Sequence, residues 1–181
     1  KPAIRMSAFM NLPVTYIFTH DCITIGEDGA THQPVEQLSM LRNIPNLRVF
    51  RPADAKEILG CWNVILSNKS PSALVVSRSS SPLLDGSSVN CVLKGAYVVK
   101  KEKGRLNGII IATGTEVSLA VLVADALEKE GIYIRVVSMP CMSLFDECDD
   151  DYKESILPVG YRICVIEYAC SADWYKYVRS D

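Results

Sequence analysis

The stretch Thr19-His20-Asp21-Cys22-Ile23-Thr24-Ile25-Gly26-Glu27-Asp28-Gly29-Ala30-Thr31-His32 holds the only two histidines of the chain, His20 and His32, with Asp28 between them. Histidine is the side chain whose ordinary pKa lies nearest neutrality, so two imidazoles and a carboxylate on one loop can donate hydrogen bonds, hold an anion or relay a proton. Arg78 follows the apolar run Ala73-Leu74-Val75-Val76-Ser77. A guanidinium presents a planar fork of donors that fits a phosphate in a two-point contact. Each residue also has a plainer reading. The histidines could meet by chance on a surface loop, Arg78 could be an exposed charge at a strand end, and Asp28 could be only the turn former of Asp28-Gly29. Glu27 adjoins Asp28, and adjacent residues of an extended loop point apart, so Glu27 is assigned a structural role.

These side chains act together only if the fold brings them to one place. Lys1 to Asn11 suits the end of a helix, and after Pro13 the run Val14-Thr15-Tyr16-Ile17-Phe18 reads as a buried strand. Pro34 fits the first turn of a helix through Val35, Leu38 and Leu41 that Pro45 stops. A short strand, Leu47 to Phe50, precedes Asp54 and Glu57, which have capping-box spacing and open a helix with Ile58, Trp62, Ile65 and Leu66 on one face. Ala73 to Ser77 reads as another buried strand. In open parallel sheets ligands collect at the carboxyl ends of the strands. If residues 14–18 and 73–77 share one parallel sheet, His20, Asp28, His32 and Arg78 converge on one edge of it.

Ser79-Ser80-Ser81-Pro82 through Gly86-Ser87-Ser88 is rich in turn formers and reads as the start of an interdomain linker. Beyond it, Ala96 to Val99, Gly108 to Ala112, Ile134 to Ser138 and Arg162 to Glu167 read as strands. Thr113 and Glu116 have the spacing of a second capping box before a helix ending near Gly131. Gly114-Thr115-Glu116 could instead cradle an anion, but the box explains it with less. The expected fold class is α/β, with two consecutive parallel or mostly parallel sheet domains covered by helices.

Composition narrows the function classes. The 181 residues are 49% apolar with a net charge of −2, which suits a soluble globular protein and offers no basic patch for nucleic acid. Asp149-Asp150-Asp151 reads as a solvated loop rather than a metal site. The seven cysteines form no Cys-x-x-Cys pair, and their odd number and apolar surroundings suit reduced core thiols. Zinc is therefore not expected, and the compartment is read as cytoplasmic, with a plastid or other organelle as the alternative. No apolar run has the length of a membrane span, and no signal-peptide core is visible.

The ordered set Thr19-His20-Asp21, Gly26-Glu27-Asp28-Gly29, Thr31-His32-Gln33-Pro34-Val35-Glu36-Gln37, Arg51-Pro52-Ala53-Asp54 and Ser77-Arg78 strongly resembles transketolase of the type found in bacteria, yeast and plants. The likeness continues through Gly95-Ala96-Tyr97-Val98, Ile111-Ala112-Thr113-Gly114-Thr115-Glu116-Val117, Val136-Val137-Ser138-Met139-Pro140 and Trp174-Tyr175-Lys176-Tyr177-Val178. Deoxyxylulose phosphate synthases and dehydrogenase β subunits share the Gly-x-Asp-Gly-x-x-His theme more loosely. His32-Gln33-Pro34 favours transketolase.

The resemblance implies transfer of a two-carbon ketol unit from a ketose phosphate to an aldose phosphate in the pentose phosphate pathway, with thiamine diphosphate and Mg2+ or Ca2+. By it, His20 and Arg78 hold the sugar phosphate, Asp28 reads the hydroxyl next to the reacting carbon, and His32 serves the carbonyl or terminal hydroxyl as hydrogen-bond donor or proton relay. His32 and His20 are then the expected catalytic residues. The resemblance also implies a homodimer, and it places the metal-binding domain and the activating glutamate outside this sequence. Residues 1–80 then correspond to the C-terminal part of the pyrimidine-binding domain, 81–94 to a linker, and 95–181 to an incomplete C-terminal domain. The first domain is truncated at its N-terminus and the second at its C-terminus. Such a fragment is expected neither to bind thiamine diphosphate tightly nor to catalyse alone; the alternative is a non-catalytic homologue or separate subunit. Cys22, Thr24, Ala30 and Ser79-Ser80 depart from the family pattern, which usually has serine, glycine, proline and glutamine-asparagine there.

Overall fold

Short β-branched and aromatic runs separated by Pro- and Gly-containing turns give the strands, and the longer amphipathic runs give the helices. The computed structural model describes residues 2–24 and 26–178. In the first half lie helix α1 (Pro2–Phe9), strand β1 (Thr15–Phe18), helix α2 (Gln37–Arg42), strand β2 (Arg48–Phe50), helix α3 (Ala55–Ser67) and strand β3 (Ser72–Val75). The strands are all parallel in the order β1-β3-β2, with Phe18 opposite Val75. The carboxyl ends of β1 and β3 are therefore neighbours. Leu38, Leu41, Val49, Ala73 and Val75 pack on one side of this sheet, and Phe50, Cys61, Val64 and Leu74 on the other.

Three local expectations change. β1 is not buried: it pairs only with β3 among the described residues, and Ile17 is 56% exposed. Helix α2 begins at Gln37, after Pro34, because the Val35 amide donates to the Gln37 side chain and the Val35 carbonyl accepts from the Cys170 amide. On α3, Glu57, Gly60, Cys61, Val64 and Ile65 are buried, whereas Leu66 points to solvent. The face is turned because residues 81–94 lie against α3, where a Cβ on Gly60 would stand 2.4 Å from the Val89 carbonyl oxygen. The Asp54 carboxylate caps the Glu57 amide at 3.0 Å, and Glu57 returns to the Ala53 amide at 2.7 Å rather than to that of Asp54.

The second half holds strand β4 (Tyr97–Lys100), strand β5 (Leu106–Ala112), helix α4 (Glu116–Lys129), strand β6 (Tyr133–Ser138), helices α5 (Met142–Asp146) and α6 (Asp150–Ile156), and strand β7 (Ile163–Ile166). The sheet order is β4-β6-β5-β7, antiparallel at β4 and otherwise parallel. The α/β class with one parallel and one mostly parallel sheet is what the sequence predicts. Ile109, Ile111, Val137, Phe145 and Trp174 form the core on one face, while Val117, Ala120 and Ala124 of α4 cover Ile110 and Val136 on the other. The acidic run is a helix start rather than a solvated loop. The Asp149 carboxylate accepts from the Tyr152 amide at 2.7 Å, and Asp150 and Asp151 occupy the first turn, where the helix dipole favours negative charge.

Glu57 joins the two sheets. It is fully buried and accepts from the Tyr97 hydroxyl at 2.7 Å and the Ser138 hydroxyl at 2.6 Å. Burial pushes its carboxyl above the usual carboxylate range, although each of these donors favours the charged form.

Candidate functional site

The histidine loop leaves β1 at Phe18 and folds into two short 3-10 turns, Gly26–Asp28 and Ala30–His32. Gly29 separates them with φ +77°, a conformation that favours glycine. His20 also has a positive φ of 68°, which for a side-chain-bearing residue costs on the order of 1–3 kcal/mol and persists only where the surroundings over-determine it. The surroundings here are specific. The Cys22 amide donates to the His20 carbonyl at 2.9 Å, the Asp21 amide donates to the Val76 carbonyl at 3.2 Å, and Thr19 Oγ1 lies 2.8 Å from His20 Nδ1. Beyond the loop, His32 Nδ1 is 2.9 Å from Thr31 Oγ1.

Arg78 follows the end of β3. Its Nη1 donates to Glu27 Oε1 at 3.0 Å and lies 4.0 Å from Asp28 Oδ2. The structure thus gathers Arg78, Asp28 and Glu27, while the hydrogen bond of each imidazole goes to the threonine before it. This corrects the view of Glu27 and Asp28 as pointing apart: the loop is a 3-10 turn here, not extended, so adjacent carboxylates face one cation. His20, Asp28, His32 and Arg78 are all open to solvent in whole or part. An ion pair this exposed contributes about 0–1 kcal/mol, so an incoming anion can take the Arg78 guanidinium from Glu27 at little cost.

A second charged cluster lies directly beneath, and motif reading does not reveal it. Arg51, at the carboxyl end of β2, is 2% exposed. Its Nε donates to Asp21 Oδ2 at 2.5 Å, and its Nη1 donates to the Thr113 carbonyl at 2.7 Å and to the Glu116 carboxylate. Burial disfavours the cation, but Glu116 and Asp21 more than offset this and hold the Arg51 pKa above its ordinary value. Gly114 (φ +62°) admits the guanidinium, since a Cβ there would stand 2.5 Å from Nη1. The expected Thr113–Glu116 capping box is absent. The Thr113 hydroxyl donates to the Arg51 carbonyl at 3.0 Å, Glu116 turns to the guanidinium, and α4 starts after Thr115 without a side-chain cap. A charge-assisted bond to buried arginine outweighs a neutral cap.

Three of the departures from the family pattern, Cys22, Thr24 and Ser79, also meet in space. Thr24 Oγ1 lies 2.5 Å from Ser79 Oγ and donates to Cys22 Sγ at 3.2 Å. Burial opposes ionisation of Cys22, but the hydroxyls of Ser77, Thr24 and Ser79 and the Arg78 backbone lower its pKa to about 6. Cys22, Thr24, Ser79, Glu116, Leu119 and Tyr168 are among the residues that line a cleft of about 330 Å³. A cleft of similar size, about 320 Å³, runs past Arg42 and Lys176, but both cations are already engaged, by Glu167 and Asp173 and by Asp146 respectively.

Among the described residues no three histidine, cysteine or carboxylate side chains gather as a metal site. His20, Asp28, His32 and Arg78 form no such cluster with one another, and all four face solvent. No helix among the described residues is long and apolar enough to cross a membrane.

Comparison with known proteins matches the chain to two families. Residues 1–82 match the family described as the transketolase pyrimidine-binding domain, and residues 95–181 match the transketolase-like C-terminal domain. A probable transketolase of Streptococcus pneumoniae is 51% identical over 100% of this chain and 28% of its own length. A solved transketolase from Leishmania mexicana superposes with a TM-score of 0.93 at 45% identity, over 98% of this chain and 26% of that one. A transketolase from Pichia stipitis in complex with sedoheptulose-7-phosphate gives 0.94 at 40% identity, over 98% and 26%. A structure described as a split gene transketolase, inactive beta4 tetramer, gives 0.75 at 27% identity, over 92% and 52%. The chain spans about a quarter of the length of the curated relatives it matches. With two transketolase domain families matched in order along it and relatives about half identical throughout, the chain belongs to the transketolase family.

Proposed function

We propose that the protein containing this chain is a transketolase, moving a two-carbon ketol unit from a ketose phosphate to an aldose phosphate. The observation that carries the reading is the register of the first sheet. Phe18 pairs with Val75, so His20 and Arg78 leave the carboxyl ends of two adjacent parallel strands, with Asp28 beside Arg78. In the proposed site Arg78 and His20 bind the phosphate end of the sugar, the guanidinium exchanging Glu27 for phosphate oxygens. Asp28 accepts a hydrogen bond from the hydroxyl next to the reacting carbon and so reads its stereochemistry. His32 donates to, or relays a proton at, the carbonyl or terminal hydroxyl. The sugar phosphate bound to the Pichia stipitis relative supports the substrate class. The high identity to curated transketolases supports an enzyme over a non-catalytic homologue.

When bound, thiamine diphosphate would supply the electron sink for the transferred unit, and Mg2+ or Ca2+ would accompany its diphosphate. In the reading proposed here, residues 1–80 belong to the pyrimidine-binding domain, 81–94 connect, and 95–181 belong to the C-terminal domain of a cytoplasmic homodimer. This polypeptide alone is expected to be inactive and to show no submicromolar binding of thiamine diphosphate with Mg2+ in calorimetric titration; tight binding would contradict that. The inactive tetramer of the split-gene relative is consistent with such dependence on further sequence.

Asp28→Ala in the full-length enzyme tests the site. A charged hydrogen bond of about 1.5 kcal/mol is lost, so kcat/KM should fall roughly tenfold and discrimination between epimers at that hydroxyl should narrow. Unchanged rates together with unchanged selectivity would remove Asp28 from the site.

A further inference from the structure

We infer that Arg51 is a positioning residue for the phosphate-binding end of the substrate site, and that Glu116 of the second sheet domain sets its position. The inference rests on the sugar-phosphate reading of His20 and Arg78. It starts from Asp21, which is tied at two points. Its carboxylate receives Arg51 Nε at 2.5 Å, and its amide donates to the carbonyl of Val76, two residues before Arg78. Its neighbour in the chain is His20, held at φ +68°. One residue thus links the turn that aims His20 to the strand end that carries Arg78. Arg51 is in turn held from the other side by Glu116 and the Thr113 carbonyl, and Glu116 is 2% exposed.

Buried ion pairs therefore run from Glu116 through Arg51 to Asp21, and Asp21 meets the two proposed phosphate ligands as the chain neighbour of His20 and through its amide bond to Val76, two residues before Arg78. A left-handed residue relaxes once its surroundings stop enforcing it, and displacements near 1 Å are enough to spoil a bound geometry. Glu57 offers a contrast within the same interface. It also joins the two sheets, but its partners Tyr97, Ser138 and Ala53 include no residue of the histidine loop. If the interface served stability alone, these two carboxylates would be equivalent.

The test uses the full-length holoenzyme, with KM and kcat measured for a ketose phosphate donor and for an unphosphorylated ketose donor. Glu116→Gln and Asp21→Asn keep side-chain shape and weaken the chain at either end. Each is expected to raise KM for the phosphorylated donor roughly tenfold, with KM for the unphosphorylated donor within about twofold and kcat within about threefold. Glu57→Gln should leave both KM values within about twofold. Unchanged KM for the phosphorylated donor, an equal rise for both donors, or an equal effect from Glu57→Gln would overturn the inference. Failure of both Glu116→Gln and Asp21→Asn to fold would also overturn it by making the cluster purely structural. Arg78→Ala separates the two levels. If it too leaves the phosphorylated KM unmoved, the sugar-phosphate reading fails; if it alone moves KM, only the positioning role fails.

Discussion

Arg51→Ala is expected to lower the stability of the fold by about 3–5 kcal/mol, the cost of breaking a buried ion pair from one side. Arg51 neutralises two carboxylates, Asp21 and Glu116, that are 7% and 2% exposed. Truncation strands both in a space that the guanidinium filled, and the Thr113 carbonyl loses its donor as well. Side-chain truncation at a solvated ion pair would cost well under about 1 kcal/mol. Urea unfolding at neutral pH separates these outcomes. A midpoint shift equivalent to less than about 1 kcal/mol would mean that the cluster is hydrated in solution.

Local chemistry made much of this fold legible. Apolar runs flanked by turn formers marked the strands, and the short connection lengths with intervening helical periods pointed to parallel pairing, which β1, β3 and β2 show. Burial was harder to read. Val14 to Phe18 is as apolar as a central strand, and among the described residues of a chain that spans about a quarter of its relatives' length β1 pairs with β3 alone. The Thr113–Glu116 spacing is that of a capping box, but the donor that captured Glu116 lies 65 residues away in Arg51, and no periodic pattern encodes such a pairing. The same holds for Asp21, at a separation of 30 residues, and for Thr24 with Ser79, at 55.

The candidate site was partly visible for the same reason. His20, Asp28, His32 and Arg78 stand out by type and by their place after strands. Glu27 was read as structural but as pointing away from Asp28; that both face Arg78 depends on the loop being helical rather than extended.

Arg78→Ala is expected to produce the largest change in activity. A guanidinium donating charge-assisted bonds to phosphate contributes about 1.5–3 kcal/mol, which corresponds to roughly a 10–100-fold loss in kcat/KM. Its present partner Glu27 is 70% exposed, so removing that pair should cost the fold little, and the loss should be specific to phosphorylated sugars. Arg78→Lys should recover only part of it, because an ammonium keeps the charge but not the two-point contact.

The proposed grip of the carboxyl ends of β1 and β3 on the phosphate of a sugar during ketol transfer is decided by one comparison. Full-length wild-type and Arg78→Ala holoenzymes are assayed for two-carbon transfer from a phosphorylated and an unphosphorylated ketose donor, with the acceptor held constant. The wild type is expected to carry out transfer, and Arg78→Ala to lose roughly 10–100-fold in kcat/KM for the phosphorylated donor, against less than about threefold for the unphosphorylated one. Absence of transfer by the cofactor-loaded wild type, or an equal loss with both donors, would contradict it.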